Sequence, residues 1–541
     1  MSQFINEPNH VVTDAIDGLL ALHGKVPLAR LDGFPHTRVV FRTDADPAQV
    51  AIISGGGSGH EPTHSGFVGD GMLTAAVAGD VFASPSVEAV LAGILQVTGQ
   101  AGCLLVVKNY TGDRLNFGLA AERAKLRGLC VAMVIVTDDV AIPDAPQPRG
   151  LAGTLLVHKV AGFHAARGAD LETVSQAAEE TARAVHSIGL SMATCDLPGQ
   201  PPRSHDSEPE LGLGIHGEPG AERVIANGAR DAVATLTHRL RHVDGPLALL
   251  INNLGSTTAL EMGIVTRELL ASDLGQRARL VVGPAAMMTS LNMHGISLSA
   301  LPLTEEREAA ITAAVAPAAW PAATTHGQPR IEPMPDLATD QHGSPEENPD
   351  SRALVTAVCN RLIRQEHALN TLDASVGDGD TGSTFASGAR AVLATLESPG
   401  LPLASPGDLM RAVGQILERS MGGSSGVLLS ILFTTAGNAA AAGQHLPKAL
   451  RAGVDAISHY GGAVKGDRTL LDALLPALDA MDSGQTLDDV AAAAESSALN
   501  TGQLTRAGAG RSAYLRAENL QDTPDPGAMA VAHAFRAAEQ R

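Results

Sequence analysis

A proline-rich stretch divides this chain into two parts whose hydrophobic patterns differ. Residues 317–349 contain seven prolines, the first and last residues included, and their apolar residues follow no helical or strand periodicity. Prolines at this density favour an extended chain without regular structure. We therefore predict a first domain over residues 1–325 with two subdomains, a linker over residues 326–350, and a second domain over residues 351–541.

The first part alternates short apolar runs with amphipathic stretches. Residues 116–128 and 171–189 have the apolar spacing of helices. Six apolar runs have the length of buried strands, namely AQVAIIS, GCLLVVKN, CVAMVIVTDD, LSMATCD, LALLINNLG and ARLVVG. Because strands and helices alternate, we predict an α/β domain with largely parallel sheets.

Strand-like runs nearly disappear from the second part. Residues 351–370 and 469–482 carry Ala and Leu at helical spacing, which predicts an all-α domain. The longest uncharged run extends from Met421 to Gln444. It contains so much Gly, Ser, Thr, Asn and Ala that it is too weakly apolar for a membrane span, and we predict a buried helix instead.

Composition excludes several classes of protein. The net charge of -20 argues against a nucleic-acid-binding surface. The four cysteines form no C-x-x-C pair, so neither a disulfide framework nor a structural zinc site is expected. The first residues, MSQFINEPNHVV, lack the apolar core of a signal peptide. We therefore expect a cytoplasmic protein that binds neither membrane nor nucleic acid.

The stretch SGGGSGHEPTHSG, residues 54–66, has features of two unrelated motifs, the H-E-x-x-H motif of zinc proteases and a glycine-rich phosphate loop. It contains H-E-x-x-H, but zinc binding by that motif requires a helix, and Pro62 with its flanking glycines disfavours one. No Lys follows the glycines, so the stretch is not a Walker A loop. Two interpretations remain open: a loop that brings backbone amides to a small ligand beside His60, or a tight turn with a solvated histidine.

Polar residues also follow the strand predicted in GCLLVVKN. Lys108 is the second-to-last residue of that run, and Asp113 lies five residues after Lys108. Ligands of open parallel sheets bind beyond the carboxyl ends of strands, so both residues are candidates to join His60. The alternative is a salt bridge on the surface.

A second histidine, His216, lies between Gly214 and Gly217. Glycines on both sides permit close approach of the backbone, and an imidazole in such a place can serve as a nucleophile or a base. The alternative is a histidine in an ordinary turn.

The second part contains a compact acidic motif. TLDASVGDGDTGST places Asp373, Asp378 and Asp380 within eight residues. Three converging carboxylates repel one another unless a cation lies among them, and Mg²⁺ takes oxygen ligands that it shares with substrate phosphates. The alternative is an exposed acidic loop with Asx turns.

A glycine- and serine-rich segment precedes an apolar helix in the same part. Residues 422–426 read GGSSG and lead directly into that helix. Free backbone amides at a helix N-terminus suit a phosphate, with Ser424 and Ser425 beside them. Arg511 and the turn Asp525-Pro526-Gly527 follow later in the chain.

Together these motifs resemble the dihydroxyacetone kinase family over nearly the whole chain outside the linker. The first part is similar to its substrate-binding domain in GGGSGHEPTHSGFVG, KNYTGDRLNFGLAAERA, GLGIHGEPG, LLINNLGSTTALEM and MTSLNMHGISLS. The second part is similar to its nucleotide-binding domain in LDASVGDGDTGST, MGGSSG, GDRTLLDAL, GRSAYL and DPGA.

The resemblance implies an ATP-dependent kinase of short-chain ketoses whose second domain is a helical barrel. His216 would hold the substrate as a covalent hemiaminal, and His60 would be the general base. The substrate hydroxyls would be held by Gly57, Ser58, Gly59, His60, Lys108 and Asp113. Mg²⁺ would be held by Asp373, Asp378 and Asp380. The nucleotide pocket would be lined by Thr381, Gly382, Ser383, Thr384, Ser424, Ser425, Arg511, Asp525, Pro526 and Gly527.

The resemblance also implies a homodimer whose active site forms between subunits, and fusion of both domains favours ATP over a phosphocarrier protein as donor. Around residues 516–523 the sequence departs from the glycine- and histidine-containing loop of the family. Erythrulose or glyceraldehyde are alternative substrates for the same constellation. A non-catalytic relative that binds a ligand and regulates a partner is a further alternative, although it should lack His60, His216 or the aspartates.

Overall fold

The chain forms two units, Met1–Ile331 and Glu332–Arg541, and their boundary falls inside the stretch predicted as a linker. The computed structural model describes residues 3–22, 27–33, 37–143, 145–201, 208–212, 214–216, 220–335, 345–398 and 400–540, without the side chain of Arg511. Trp320 is buried in the core of the first unit and Thr324 bridges to Val281. The beginning of the proline-rich stretch is therefore part of the first unit.

The first unit contains two six-stranded sheets. The strands are β1 (Leu28–Arg30), β2 (Val39–Arg42), β3 (Ala51–Ser58), β4 (Ala75–Val81), β5 (Cys103–Lys108), β6 (Val131–Val136), β7 (His186–Ala193), β8 (Glu210–Leu211), β9 (Glu222–Arg223), β10 (Leu247–Asn253), β11 (Ala278–Ala285) and β12 (His294–Pro302). The first sheet has the order β1-β2-β4-β3-β5-β6, and the second has the order β11-β10-β12-β7-β8-β9.

The two sheets differ in strand direction. In the first, β3 pairs in parallel with β4 and β5, and β5 pairs in parallel with β6, while β1–β2 and β2–β4 are antiparallel. In the second, β10–β11 is parallel and the four other described pairings are antiparallel. The predicted α/β class is confirmed, but parallel pairing is the wrong expectation for most of the second sheet. A strand buried on both faces gives a continuous apolar run whatever its direction.

Helices cover both faces of these sheets. The helices of this unit are α1 (Val11–Leu22), α2 (Val87–Val97), α3 (Thr111–Lys125), α4 (Thr154–Ala166), α5 (Leu171–Ala184), α6 (Ala229–Arg239), α7 (Ala259–Ala271), α8 (Asp273–Gln276) and α9 (Glu305–Thr312). The helix predicted over residues 171–189 therefore ends earlier, and its last residues belong to β7. β-branched Val185 separates the two elements and has extended backbone.

The alternating side chains of β5 show how the layers are built. Leu104 and Val106 enter a core that α4 and α5 cover, whereas Leu105 and Val107 enter a core that α2 and α3 cover. The first of these cores also contains Leu250 of β10, so it lies between the two sheets. Helices α6 and α7 cover the outer face of the second sheet. Both sheets are thus buried on both faces, and loops at the strand ends remain to carry the site.

The second unit is all-helical within its described residues. Its helices are α10 (Pro349–Arg364), α11 (Glu366–Val376), α12 (Thr381–Glu397), α13 (Pro406–Ser420), α14 (Gly423–Ala441), α15 (Leu446–Gly461), α16 (Leu471–Asp482), α17 (Leu487–Asn500), α18 (Ala517–Leu520) and α19 (Pro526–Glu539). Contacts run from α10 to α12 and then in chain order through α17 to α19, which packs against α10 again. Eight helices therefore close a ring, which confirms the predicted helical barrel.

Helix α14 corresponds to the long uncharged run. In the described chain it is the one helix long and apolar enough to cross a membrane by length and composition. It packs between α13 and α15 of the ring, and Leu429 and Leu432 are among its buried side chains. Core helices of soluble proteins meet the same criterion, so the helix is weak evidence for a membrane.

Candidate active site

The glycine loop at the end of β3 is built around close backbone approaches. A Cβ on Gly55 would lie 2.2 Å from the carbonyl oxygen of Val77, and Gly59 has a φ of +97° that favours glycine. The register between β3 and β4 shifts between Gly56 and Ser58, so Gly57 lies at an irregularity of the strand pair. The HEPTH residues that follow lie in turns rather than in an α-helix, as we expected from the sequence.

His60 is fully buried, and its hydrogen bond defines its tautomer. Its Nδ1 lies 2.7 Å from the carbonyl oxygen of Thr289. A carbonyl oxygen can only accept, so Nδ1 carries the proton and Nε2 carries the lone pair. Within the described chain Nε2 has no hydrogen-bond partner. His60 is therefore a neutral imidazole with an available basic atom.

The surroundings of His60 keep it neutral. Burial lowers its pKa well below the ordinary value, and the positive charge of Lys108 and the neighbouring His216 lower it further. The bond to Thr289 acts in the opposite direction and is the smaller effect. A neutral base near pH 7 follows from this environment.

His216 lies directly beside His60. Their ring centroids are 5.0 Å apart, with a tilt of 56° between the ring planes. The ring of Tyr110 meets His216 edge-on at 4.7 Å, and the ring of Phe82 does so at 5.2 Å. The structure thus brings together two histidines that lie far apart in the sequence, and their neighbours are aromatic.

Lys108 and Asp113 lie at the same place. Both are buried, Lys108 as the last residue of β5 and Asp113 in the first turn of α3. A Cβ on Gly56 would lie 3.4 Å from Asp113 Oδ2 and 3.4 Å from Lys108 Nζ, so both side chains face the glycine loop. Burial raises the pKa of Asp113, while Lys108 and a hydrogen bond from Ser84 lower it. The alternative of a salt bridge on the surface is therefore wrong for this pair, because both side chains are buried.

Ser58 and Gly59 have partners inside the loop. Ser58 Oγ donates to the carbonyl oxygen of Gly79 at 2.8 Å, and the amide of Gly59 donates to the Glu61 carboxylate at 2.9 Å. These groups shape the loop. The hydroxyl oxygen of Ser58 keeps lone pairs that a substrate hydroxyl could use.

The loop between β11 and β12 holds both histidines, and sequence reasoning missed this role. The carbonyl oxygen of Thr289 binds His60, and Ser290 Oγ donates to the carbonyl oxygen of Ile215 at 2.6 Å, next to His216. The buried Asn252 anchors this loop: its Oδ1 accepts from the amides of Met287 and Met288, both at 2.9 Å. A third support comes from Leu291, whose amide donates to the Gly59 carbonyl at 2.7 Å.

Two further histidines lie behind the site. His64 and His158 are buried with ring centroids 5.3 Å apart. Ser54 Oγ donates to the carbonyl oxygen of Val106, so it accepts from His64 Nδ1 at 3.3 Å. Burial and the charge of Lys108 lower the pKa of His158 to about 3 and that of His64 well below its ordinary value. Both are therefore neutral near pH 7.

In the second unit the three predicted aspartates converge. Carboxylate oxygens of Asp373, Asp378 and Asp380 lie within 4.8 Å of one another. Asp373 is buried at the end of α11, while Asp378 and Asp380 are exposed. One oxygen of Asp373 accepts the amides of Asp380 and Thr381, at 2.9 and 3.0 Å, which fixes the loop. Hard oxygen ligands on an exposed rim fit a magnesium ion that is shared with phosphates.

Several polar groups at the start of α12, where residues 381–384 are expected to line the nucleotide pocket, already have partners within the second unit. Thr381 donates its amide to Asp373, and the amide of Ser383 donates to Asn370 Oδ1 at 3.0 Å. Ser383 Oγ also accepts from Asn370 Nδ2 at 2.8 Å. A Cβ on Gly382 would lie 2.0 Å from the carbonyl oxygen of Glu366, so this glycine permits close packing of α11 and α12. Ser383 and Gly382 thus contact α11 directly. The amide of Thr384 donates to the carbonyl oxygen of Asp380 as a helical hydrogen bond.

The start of α14 is open. Gly422 is its N-cap without a side-chain hydrogen bond, and a Cβ on Gly422 or Gly423 would meet no atom within 4 Å. Ser424 is exposed and Ser425 is half-buried. The segment before the helix contacts α12, because Ser387 Oγ donates to the Ser420 carbonyl at 2.9 Å. An anion can therefore approach the free amides at the start of α14.

The remaining predicted nucleotide residues lie near the end of α11 or at the start of α19. Ser512 Oγ donates to the Val376 carbonyl at 3.1 Å, which brings the segment of Arg511 beside α11. Asp525 caps α19 by accepting the amide of Ala528 at 2.7 Å, and Pro526 and Gly527 begin that helix. Burial raises the pKa of Asp525 to about 7.

Comparison with known proteins agrees with this arrangement. Residues 19–319 match the model of the Dak1 domain and residues 375–540 match that of the DAK2 domain. The chain is 46% identical to a dihydroxyacetone kinase of Citrobacter freundii, over 99% of both chains. It is 40% identical to a human triokinase/FMN cyclase, over 99% of this chain and 98% of the relative.

Solved structures give the same result. The native dihydroxyacetone kinase of C. freundii superimposes with a TM-score of 0.82 at 45% identity and covers 100% of both chains. A second structure of that kinase, in complex with AMP-PNP and Mg²⁺, has a TM-score of 0.81 at 44% identity and covers 100% of this chain and 99% of that one. The chain described here therefore belongs to the dihydroxyacetone kinase family, with the Dak1 and DAK2 domains fused in one polypeptide.

Proposed function

We propose that this protein is an ATP-dependent kinase that phosphorylates dihydroxyacetone to dihydroxyacetone phosphate. The observation that carries the proposal is the pair His60 and His216, whose rings lie 5.0 Å apart while the basic Nε2 of His60 has no partner in the described chain. One imidazole can bond to a carbonyl while the other accepts a proton from a hydroxyl of the same small molecule. The names of the relatives, including dihydroxyacetone kinase and triokinase, support the same reaction.

Substrate capture is assigned to His216. A lone pair of its imidazole attacks the ketone carbon, the C=O π electrons move to oxygen, and that oxygen takes up a proton. The imidazolium formed in this step loses its ring proton, which leaves a neutral hemiaminal. Capture requires a carbonyl, so glycerol should not be held in this way. Lys108 and Asp113 face the same loop and are placed to bind the substrate hydroxyls.

Phosphoryl transfer is assigned to the hydroxyl that faces His60. Nε2 accepts the hydroxyl proton, the oxygen forms a bond to the γ-phosphorus, and the bond from that phosphorus to the β–γ bridging oxygen breaks to release ADP. Positioning and neutralisation of phosphate charge supply most of the catalysis in such reactions. Asp373, Asp378 and Asp380 would hold Mg²⁺, which when bound neutralises charge on the phosphates.

A substrate panel tests the proposal. ATP consumption is measured with dihydroxyacetone, erythrulose, glyceraldehyde and glycerol, for wild type, His216→Ala and His60→Asn. We expect turnover with carbonyl substrates, none with glycerol, and losses above about 100-fold in both variants. His238→Ala, on the exposed surface of α6, is the matched control. Turnover of glycerol at the rate of dihydroxyacetone would refute capture through a carbonyl.

A four-carbon ketose is the second candidate substrate. The chain is 41% identical to a putative 3,4-dihydroxy-2-butanone kinase of Solanum lycopersicum over 99% of this chain. In this chain Phe82 and Tyr110 flank His216 on two sides, which favours a short substrate. A higher kcat/KM for erythrulose than for dihydroxyacetone in the panel would assign the longer ketose instead.

We also propose a cytoplasmic homodimer whose active site forms between subunits. The first unit of one subunit would bind the ketose, and the second unit of its partner would supply the ATP. Two separate half-sites and a proline-rich connection in the sequence support this arrangement, because transfer requires the hydroxyl and the γ-phosphorus to meet. To test this, the His216→Ala and Asp380→Ala proteins are mixed, their subunits are allowed to exchange, and the activity is then measured. Each should be inactive alone, and the heterodimer should regain part of the wild-type activity. Zero activity despite exchange seen by native mass spectrometry would refute assembly between subunits.

A further inference from the structure

Phe82 has an unusual backbone conformation at the centre of the site. Its φ is +58°, in the left-handed region that residues with a bulky side chain rarely adopt. It directly follows β4, and its amide donates to the carbonyl oxygen of Ser58 at 2.9 Å. The glycine loop therefore holds Phe82 in a strained conformation. Strain of this kind persists where the surrounding structure enforces it, often at functional sites.

The phenyl ring of Phe82 contacts both imidazoles of the site. It stacks on His60 with ring centroids 5.3 Å apart and an interplanar angle of 24°. It meets His216 edge-on at 5.2 Å and 66°. With the 5.0 Å separation of His60 from His216, the three rings form a nearly equilateral triangle. The orientation of each imidazole is thus coupled to the same apolar ring.

Two glycines of the loop make room for this ring. A Cβ on Gly57 would lie 3.0 Å from Phe82 Cα, and a Cβ on Gly59 would lie 2.7 Å from its Cε1. On its other side Phe82 packs against a small apolar cluster of Cys195, Leu254 and Met293. Gly57 and Gly59 are therefore needed for the packing of Phe82, in addition to any contact with substrate.

We propose that Phe82 is a positioning residue whose flat ring sets the relative orientation of the His60 and His216 imidazoles and excludes water from between them. The role of the imidazoles rests on the proposed function. Without the ring, each imidazole could turn toward the other or toward solvent and hydrogen-bond there. The phenyl ring has no polar atom, so it cannot compete with the substrate for a hydrogen bond to either imidazole.

The test compares Phe82→Gly, Phe82→Ala and Phe82→Leu. Gly and Ala both remove the ring, but only Ala keeps the strain, so the Gly variant should unfold at the higher urea concentration. Both should lose about 10- to 100-fold in kcat/KM for dihydroxyacetone, with the KM for ATP unchanged. Leu restores apolar bulk and should bring back the urea midpoint of wild type without restoring kcat/KM. Leu291, whose φ is +53° and which also contacts Gly59, is the matched control. Leu291→Ala should lose less kcat/KM than Phe82→Ala.

Wild-type kcat/KM in the Gly or Leu variant would overturn the proposal, because the flat ring would then be dispensable. Crystal structures of wild type and Phe82→Gly give a readout that does not depend on turnover. We expect the separation of the two imidazole centroids, or the angle between the rings, to change in the variant. Unchanged rings would also overturn it. If wild type phosphorylates no ketose, the proposed function fails, and the crystal structures still decide whether Phe82 orients the rings.

Discussion

The buried His158 should make the first unit sensitive to acid. Its side chain is fully buried in α4, and burial with the charge of Lys108 lowers its pKa from 6.5 to about 3. The unfolded chain takes up a proton near pH 6.5 and the folded chain does not. Stability is therefore unaffected above pH 7 and falls as the pH drops from 6.5 toward 3, by about 1.4 kcal/mol per pH unit.

The magnitude follows from these two pKa values. Between pH 7 and pH 5, His158 should lower the free energy of unfolding by about 2 kcal/mol. His158→Phe removes the titrating group and keeps the volume, so this part of the loss should vanish. Other buried histidines, including His64, still contribute in both proteins. The change in the free energy of unfolding between pH 7 and pH 5 is therefore measured in both proteins. The contribution of His158 is the change in wild type minus the change in the variant.

The single tryptophan provides the assay. Trp320 is buried in the same core as the neighbours of His158 on α4, Leu156 and Val157. Its fluorescence during urea unfolding thus reports on the first unit and not on the second. His238→Phe on the surface of α6 is the matched control and should keep the wild-type difference. If the free energy of unfolding falls by the same amount between pH 7 and pH 5 in wild type and in His158→Phe, the reasoning is refuted.

Three further predictions concern the other parts of the molecule. Asp380→Ala should abolish magnesium-dependent nucleotide binding by calorimetry while the urea midpoint stays unchanged, since Asp380 is exposed; wild-type affinity for Mg-ATP would contradict the site. Ser290→Ala leaves the buried carbonyl of Ile215 without its partner, so we expect about 1–3 kcal/mol less stability and a lower kcat by steady-state kinetics; unchanged kcat would remove Ser290 as a support of His216. Gly55→Ala forces a Cβ to within 2.2 Å of the Val77 carbonyl oxygen, so β3 and β4 must separate and the urea midpoint by Trp320 fluorescence should fall sharply; an unchanged midpoint would show that the strands can shift without cost.

The two architectures were readable from the sequence, while several of the strands and the pairing of all of them were not. The alternation before Pro317 and the helical spacing after Pro349 identified the two architectures, because periodicity is a local property. Strand β4, AAVAGDV, was missed because alanine and glycine have low strand propensity. It is nevertheless the neighbour of β3 and carries the chain into Phe82. Tertiary pairing, rather than propensity, makes this segment a strand.

The same distinction applies to the site. Flanking glycines singled out His60 and His216, and acidic spacing singled out Asp373, Asp378 and Asp380. The partners that orient the histidines could not be derived in this way. Thr289 acts through its backbone carbonyl, which every residue possesses, and it lies 229 residues from His60. Asn252 acts one step further away, through the loop that it anchors. Only the fold reveals such contacts.

The choice of a carbonyl as the partner of His60 has a chemical consequence. A carboxylate would stabilise the imidazolium and raise the pKa of the histidine, whereas the Thr289 carbonyl defines the tautomer without adding a negative charge. With Lys108 nearby, His60 is a weak base that is almost always neutral and ready. In the proposed reaction a weak base would be sufficient, because a loose transition state of phosphoryl transfer leaves the hydroxyl largely protonated while the bond to the leaving oxygen stretches. Such a base would hold the hydroxyl in place and accept its proton late in the reaction. Catalysis at this site would then depend more on the orientation of the substrate than on the basicity of His60.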